Sequence, residues 1–450
     1  MKDSYEVKVR IEKAQEKQFA RVPIEVPPDV EKLIISYTYK GDQGNTINTG
    51  KEKNVIDVAI LAPDGSEVGA SGSTKKVIVL SPSYSTPGYD RVSVAEGSWQ
   101  VVLGAYLVMA QGVEVTVRAE YIFKSYRWLK GDTHLHTVNS DGSLTVEQVG
   151  TRIKKKGLDF MIITDHNNFF HNKRLPVIPD LTIIPGVEFT HYSGHVNLIG
   201  LESPYTGSYV LNSFEEFIER LKEPREKGAI ISINHPFCSL CPWLWPKEGF
   251  EYDFVEVWNG PMRKDNLTTI AWWQEQLASG RKLIALGGSD FHWEIGPISY
   301  LAMPTACVYA KANSKDDILT AMKRGNISLK RSAKAPMLQL ECGGAIMGDS
   351  VKFAPGTKVT IKTDKLKKGY SIVVYDATGK NFQHKAKKTA PYSVELEVER
   401  KGFIRAEIRY TAGIIESFIY KLVISFLIKS QAKEPVPEMI AALTNPIYFD

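Results

Sequence analysis

The sequence predicts an α/β chain in which a barrel of parallel βα units is flanked by N-terminal and C-terminal antiparallel β-sandwich domains. Two observations predict it. From Leu129 to about Gly325, apolar runs alternate with helix-capping signals. On either side of that stretch, short β-type runs are separated only by turn residues.

A chain of 450 residues suits two to three domains. With 43% hydrophobic and 24% charged residues it has the balance of a folded globular protein, which excludes a disordered chain. The expected divisions are 1–124, 125–334 and 335–450.

In the first division, Lys32 to Tyr39, Val55 to Leu61, Lys76 to Leu80, Trp99 to Leu107 and Val113 to Ile122 read as strands. Alternating Val, Ile, Tyr and Thr, broken by turns such as Pro63-Asp64-Gly65, argues for a sandwich. In the second division, Thr145 with Gln148 forms a capping box for a helix ending near Gly157. Ser213 with Glu216 opens a helix expected to stop before Pro224, and Ser314 with Asp317 opens one ending near Gly325. Buried-strand candidates lie between them: Phe160 to Thr164, Leu181 to Pro185, Val196 to Leu201, Ala229 to Ile233, Phe254 to Trp258 and Leu283 to Leu286. They are numerous enough to close a barrel. Beyond about Ala335 the β pattern returns in Lys358 to Thr363, Ser371 to Tyr375, Ser393 to Val398 and Phe403 to Tyr410. No fixed-period repeat or low-complexity stretch interrupts it.

Net charge is +5, from 56 Lys+Arg against 51 Asp+Glu, too thinly spread to predict a nucleic-acid partner. The basic run Lys154 to Lys156 reads as a solvated helix face. Met1 to Tyr5 lacks the apolar stretch of a signal peptide, so a cytoplasmic location is expected. The longest apolar run, Ile414 to Ile428, contains Glu416 and Lys421, is too short for a membrane span and is expected to be buried. Of 4 cysteines, only Cys238 and Cys241 form a Cys-x-x-Cys pair. A structural zinc site needs a second pair, so free thiols are expected, with a local disulfide as the alternative.

The chemistry lies where the strand candidates end. These ends read Asp132-Thr133-His134-Leu135-His136, Thr164-Asp165-His166-Asn167, Gly186-Val187-Glu188, Asn234-His235-Pro236 and Gly288-Ser289-Asp290-Phe291-His292. In a parallel barrel such positions converge on one rim. Of 9 histidines, every one except His384 falls between His134 and His292. Residues two apart on a strand share a face, so His134 with His136 and Asp290 with His292 can each present two ligands to one site. Imidazoles and carboxylates together suit divalent zinc, manganese or iron.

This ordered series, with Ser140-Asp141-Gly142 after the first motif, resembles the PHP (polymerase and histidinol phosphatase) superfamily over about Lys130 to Gly325. Gly194-His195-Val196-Asn197, Val255-Glu256-Val257-Trp258-Asn259-Gly260 and Leu443-Thr444-Asn445-Pro446-Ile447-Tyr448 resemble its carbaryl hydrolase branch. The resemblance implies a distorted seven-stranded βα barrel with two or three divalent ions. By motif, His134, His136, Glu188 and Asp290 hold one ion; Glu188, His195 and His235 a second, with the carboxylate bridging; and Asp141, His166 and His292 a third. His191 competes with His195 for its place, while Asp165 reads as a group orienting an imidazole. His171, His191 and His384 are expected outside the ligand set.

The implied reaction is metal-assisted hydrolysis, with Glu188, Asp290 and His292 carrying the catalytic roles. A small phosphomonoester is the first expected substrate, and a carboxylic ester or carbamate the second. A barrel with structural metals that only binds a partner is the reading from another class. Arg263 and Lys264, just past Asn259, are positioned to reach substrate oxygens, as are Lys173 and Arg174. Arg263 and Asn259 are the expected substrate contacts. Trp243, Trp245, Trp258 and Trp293 are candidates for an apolar wall, with core packing the expected role of Trp258.

Overall fold

A computed structural model describes residues 3–41, 53–295, 299–428, 431 and 433–450. Met1 and Lys2, on which the leader reading partly rests, lie outside the described residues. The chain forms two compact units: Met1–Tyr126 with Val177–Asp180 and Lys311–Ser314, and the remainder from Arg127 to Asp450.

The first unit contains β1 (Ser4–Ile11), β2 (Phe19–Val26), β3 (Val30–Tyr39), β4 (Val55–Leu61), β5 (Glu67–Ser71), β6 (Val77–Leu80), β7 (Gly97–Leu107) and β8 (Val113–Phe123). They form two four-stranded antiparallel sheets, ordered β1-β8-β3-β6 and β2-β7-β4-β5. Inward residues of both, such as Ile35 and Val117 from one and Ile24 and Trp99 from the other, share a single core. Alternate residues face it because side chains on a strand repeat every second position. β1, β2 and β5 lie in the stretch read as β-type, beside the five strands named from the sequence. β2 carries Pro23, which a ladder tolerates at an edge, and β2 is an edge strand.

The second unit begins with β9 (Arg127–Asp132), α1 (Val146–Lys155), β10 (Phe160–Ile162), β11 (Thr182–Ile184), β12 (Gly186–His191), β13 (Gly194–Ile199), α2 (Phe214–Glu226) and β14 (Ile230–Ile233). Next come β15 (Phe254–Asn259), α3 (Lys264–Ala278), β16 (Ile284–Gly288), β17 (Thr305–Ala310), α4 (Lys315–Lys323) and β18 (Ile327–Lys330). The capping box of α1 forms as read, with Thr145 Oγ1 accepting from Gln148 N at 3.2 Å and Gln148 Oε1 accepting from Thr145 N at 3.0 Å. α2 runs through Pro224 rather than stopping before it. The proline falls in the last turn, so the one bond it removes, to the carbonyl of Arg220, lies next to the helix end.

The barrel of parallel units is met only in part. β9, β10 and β11 are parallel neighbours, as are β14, β15 and β16, but β13 runs antiparallel to both β12 and β14. Its reversal follows from the two-residue connection Tyr192-Ser193, too short for a crossover. Among the described residues these strands fall into two sheets joined by isolated bridges, Leu135 to Phe291 and His166 to Glu188, instead of one continuous ladder. The architecture is mixed α/β and rich in sheet.

The remaining elements are β19 (Leu338–Cys342), β20 (Ala345–Ile346), β21 (Ser350–Val351), β22 (Lys358–Leu366), β23 (Ser371–Asp376), β24 (Gly379–Lys385), β25 (Ala390–Glu397), β26 (Gly402–Tyr410), α5 (Ile414–Leu427), β27 (Met439–Thr444) and β28 (Ile447–Phe449). β20-β19-β22-β25 form a separate antiparallel sheet. β27, however, pairs with β18 on one side and β26 on the other, so the sheet of β9 and β10 continues into the C-terminal strands. Asn445 reinforces the junction: its side-chain amide exchanges two hydrogen bonds with the backbone of Ala285 in β16, at 2.8 and 2.9 Å. The apolar run from Ile414 is not buried as expected. In α5 only Val423 and Ile424 are buried, and Ile414 is 92% and Phe418 70% exposed. Among the described residues no helix is long and apolar enough to cross a membrane.

Candidate metal centre

The centre forms where chain segments leave the strands. Asp132, at the end of β9, is fully buried and accepts hydrogen bonds from Ser289 N, Ser289 Oγ and Ala302 N at 2.9, 2.6 and 2.7 Å. Burial pushes its carboxyl up to about 6 despite these donors. The segments after β9 and β16 then run side by side, with Asp290 N donating to His134 O at 2.9 Å and His136 N to Phe291 O at 3.0 Å. Only glycine fits at 288, because a Cβ there would lie 2.4 Å from the Cβ of His134. Glu188 lies inside the β12–β13 hairpin rather than at a strand end, and Asn167 N donates to its carbonyl at 2.9 Å.

Three non-glycine residues here adopt left-handed backbone: Asn167 (φ 49°), His235 (φ 28°) and Asp290 (φ 50°). Such conformations cost about 1–3 kcal/mol each and persist where surrounding contacts hold them. Two of the three carry candidate ligands.

Glu188 is the hub. Its Oε1 lies 3.4 Å from His134 Nε2, 3.1 Å from His195 Nδ1 and 3.4 Å from His235 Nε2, and its Oε2 lies 3.4 Å from His136 Nε2 and 2.8 Å from His166 Nδ1. Asp290 Oδ1 approaches His136 Nε2 at 3.0 Å and His134 Nε2 at 3.4 Å. On the exposed side, Asp141 Oδ1 is 3.4 Å from His292 Nε2, 3.8 Å from His166 Nε2 and 4.0 Å from His136 Nδ1. The donor atoms of His136, Asp141, His166 and His292 lie within 4.8 Å of one another, as do those of His134, His136 and Glu188, of His166, Glu188 and His195, and of His195, His235 and Cys241. All nine sequence-predicted ligands thus stand in one cluster, with Cys241 as an addition.

The cluster suits cations. Among the described residues, His134 Nε2, both ring nitrogens of His136, Glu188 Oε2 and Asp290 Oδ1 are buried with no partner in hydrogen-bonding geometry. Orphaned buried polar atoms are costly unless something satisfies them. Burial opposes charge on Glu188, but the imidazoles of His134, His195 and His166 outweigh it and hold the carboxyl well below its usual range. Burial likewise opposes charge on His235, yet Glu188, Asp290 and Glu256 raise it to about 9, whereas burial pushes His136 down to about 4. These opposite shifts distribute protons unevenly among the rings and carboxylates, and divalent ions can take the place of those protons.

Other polar groups hold the donors in place. His134 Nδ1 faces Glu256 Oε1 at 2.9 Å, leaving Nε2 toward Glu188 and Asp290. Asn234 Nδ2 donates to Glu188 Oε1 at 2.7 Å, and Thr190 Oγ1 lies 2.6 Å from His166 Nδ1. Asp165 accepts from Thr137 N at 2.6 Å and Ser140 Oγ at 2.8 Å, and the imidazole it faces is that of His171, whose Nε2 lies 3.0 Å away. Sequence reading did not single out Glu256 as a site residue. Its signal was a lone carboxylate in the otherwise apolar strand around Val255, Val257 and Trp258, since a buried charge needs a partner.

Asn259 and Arg263 are both buried, Arg263 donating to Asn259 Oδ1 at 3.0 Å while Asn259 Nδ2 donates to Glu256 Oε2 and Asp290 Oδ2 at 3.0 and 3.2 Å. Lys173 and Arg174 are exposed. His191 stacks on Trp245 and His384 on Tyr392, outside the cluster. Trp243 and Trp258 are core residues, whereas Trp293 is 45% exposed with its ring 5.4 Å from that of His292.

No family model and no curated protein matches the chain. Among solved structures, it is similar to a two-domain Bacteroides vulgatus protein containing a predicted PHP-like metal-dependent phosphoesterase, at 19% identity, covering 63% of this chain and 90% of that one, with a TM-score of 0.38. An inferred metal-dependent phosphoesterase from Bifidobacterium adolescentis is 14% identical over 36% and 87% of the two chains, TM-score 0.26. An amidohydrolase from Chromobacterium violaceum is 15% identical over 37% and 89%, TM-score 0.25. Similarities of this size say nothing about activity.

Proposed function

We propose that the chain is a metal-dependent hydrolase of phosphoesters. The observation that carries this reading is Glu188, a fully buried carboxylate met by five imidazoles, those of His134, His136, His166, His195 and His235. A buried anion so surrounded, beside orphaned ring nitrogens, is an arrangement for several cations. When bound, divalent ions supply Lewis acidity and an activated water near neutral pH.

The chain's own residues set the stage for that chemistry. Asn234 and Glu256 fix the carboxylate and ring faces that meet the ions. Asp290 joins His134 and His136 to the same face. His292 keeps Nδ1 2.9 Å from Asp290 O, which directs Nε2 toward Asp141 and the open side. A site with places for more than one ion favours a substrate offering several anionic oxygens. Arg263, whose Nε has no hydrogen-bond partner among the described residues, is assigned as a cationic donor to one of them, held by Asn259.

A carboxylic ester or carbamate is the second reading. The exposed Trp293 ring beside His292 favours it, as does the narrower likeness to the carbaryl hydrolase branch.

The test is elemental analysis of the purified protein, followed by assays of zinc- and manganese-loaded samples on p-nitrophenyl phosphate, bis-p-nitrophenyl phosphate and p-nitrophenyl acetate. Metal-dependent phosphate release is the expected result. Preference for the acetate promotes the second reading, and a protein that takes up neither metal ends both.

A further inference from the structure

The loop after β14 reads Asn234-His235-Pro236-Phe237-Cys238-Ser239-Leu240-Cys241-Pro242-Trp243. It folds back on itself, with Cys238 N donating to His235 O at 2.8 Å and Trp243 N to Pro236 O at 3.0 Å. It is then clamped to the β12–β13 hairpin. Leu244 N donates to Ser193 O at 2.7 Å, and the Trp243 ring lies where a Cβ on Gly194 would stand, 2.4 Å away. This clamp brings Cys241 to His195, the residue after Gly194.

The donor atoms of Cys241, His195 and His235 lie within 4.8 Å of one another. Cys241 Sγ is 3.7 Å from His235 Nδ1, and all four cysteines are free. For a tetrahedral zinc with a sulfur bond of about 2.3 Å and a nitrogen bond of about 2.0 Å, the two donors stand roughly 3.5 Å apart. Glu188 Oε1 stands 3.1 Å from His195 Nδ1 and 3.4 Å from His235 Nε2, the ring nitrogen of His235 opposite the one that faces Cys241. Cys238 Sγ lies 3.5 Å from Cys241 Sγ, close enough for an S–H···S contact.

We propose that Cys241 is a thiolate ligand of the ion held by His195 and His235. This rests on the metal-centre reading and sharpens it, because a sulfur donor selects zinc or ferrous iron over magnesium or manganese at that position. The donor set is two nitrogens and one sulfur. Three protein donors would leave a fourth position of the shell open. The Cys-x-x-Cys pair therefore serves the centre through one sulfur, without the second pair that an all-cysteine zinc site requires.

Cobalt(II) titration of the metal-free full chain tests this. A near-ultraviolet sulfur-to-cobalt charge-transfer band is expected, absent in Cys241→Ser and retained in Cys238→Ser. X-ray absorption of the zinc-loaded wild type is expected to show sulfur at about 2.3 Å. This measurement decides the matter even if the serine variant fails to fold. In a folded Cys241→Ser protein, zinc affinity at this position should fall more than about a hundredfold, beyond the 10–100-fold typical of a group that only orients a ligand. Bound cobalt without the band, or zinc with only nitrogen and oxygen neighbours, overturns the proposal: Cys241 then merely touches the His235 ring, and the metal-centre reading stands. A wild type that binds no cobalt overturns both.

Discussion

The two units solve opposite problems with similar secondary structure. The first buries apolar side chains from two antiparallel sheets and, among the described residues, no charged one. The second buries Asp132, His134, His136, Asp165, Glu188 and Glu256 to 3% exposure or less. A sheet core needs none of these groups, and each costs stability unless paired. The contrast shows where the chain accepts destabilisation for chemistry, and several variants test it.

The largest effect is expected from Glu188→Ala. Turnover should fall at least about a thousandfold, roughly 4 kcal/mol of barrier, with bound metal lost in elemental analysis. Near-normal turnover would remove the hub from the centre. Chelation of wild-type protein comes next: losing ions present at about 1,000 times Kd withdraws about 4 kcal/mol from the second unit. Hydrogen exchange resolved by segment should show this loosening around β12, β13 and β16, with β3 and β8 unchanged.

Ile35→Ala, in the first unit's core, should cost about 3 kcal/mol by chemical denaturation and leave metal content as it was. Loss of metal in that variant would break the contrast. Glu256→Gln should weaken metal binding roughly 10–100-fold, read by competition with a chromophoric chelator, because the His134 ring loses its charged partner. The smallest change is expected from Thr145→Ala, which removes the α1 cap at about 1 kcal/mol and leaves turnover intact. It checks that ordinary elements of the second unit behave like those of the first.

Much of this was legible in the sequence, for definite reasons. The capping box of α1 and the alternation in β3, β4, β7 and β8 are local signals, and local geometry decided them. The ligand cluster was legible because His134, His235 and Asp290 each sit in a short polar segment beside an apolar run, and Glu188 is a lone carboxylate between Val187 and Phe189. What escaped was set by partners distant in sequence. The reversal of β13 depends on a two-residue connection, and the incomplete ladder on contacts such as Leu135 with Phe291. The exposure of Phe418 in α5 could not be seen, since composition does not say which apolar run finds a partner. Cys241 escaped because His195 reaches it only through the β12–β13 hairpin, while a lone Cys-x-x-Cys pair points first to a second cysteine pair.

Placing β27 between β18 and β26 has a consequence for the order of assembly. As the chain is synthesised, β18 and then β26 emerge with open hydrogen-bonding edges, and the strand that joins them starts only at Met439. Open edges of this kind invite pairing with other chains. Until Met439–Thr444 docks between them the emerging chain is a sticky intermediate, and the protein's chaperone dependence should peak before that strand is in place.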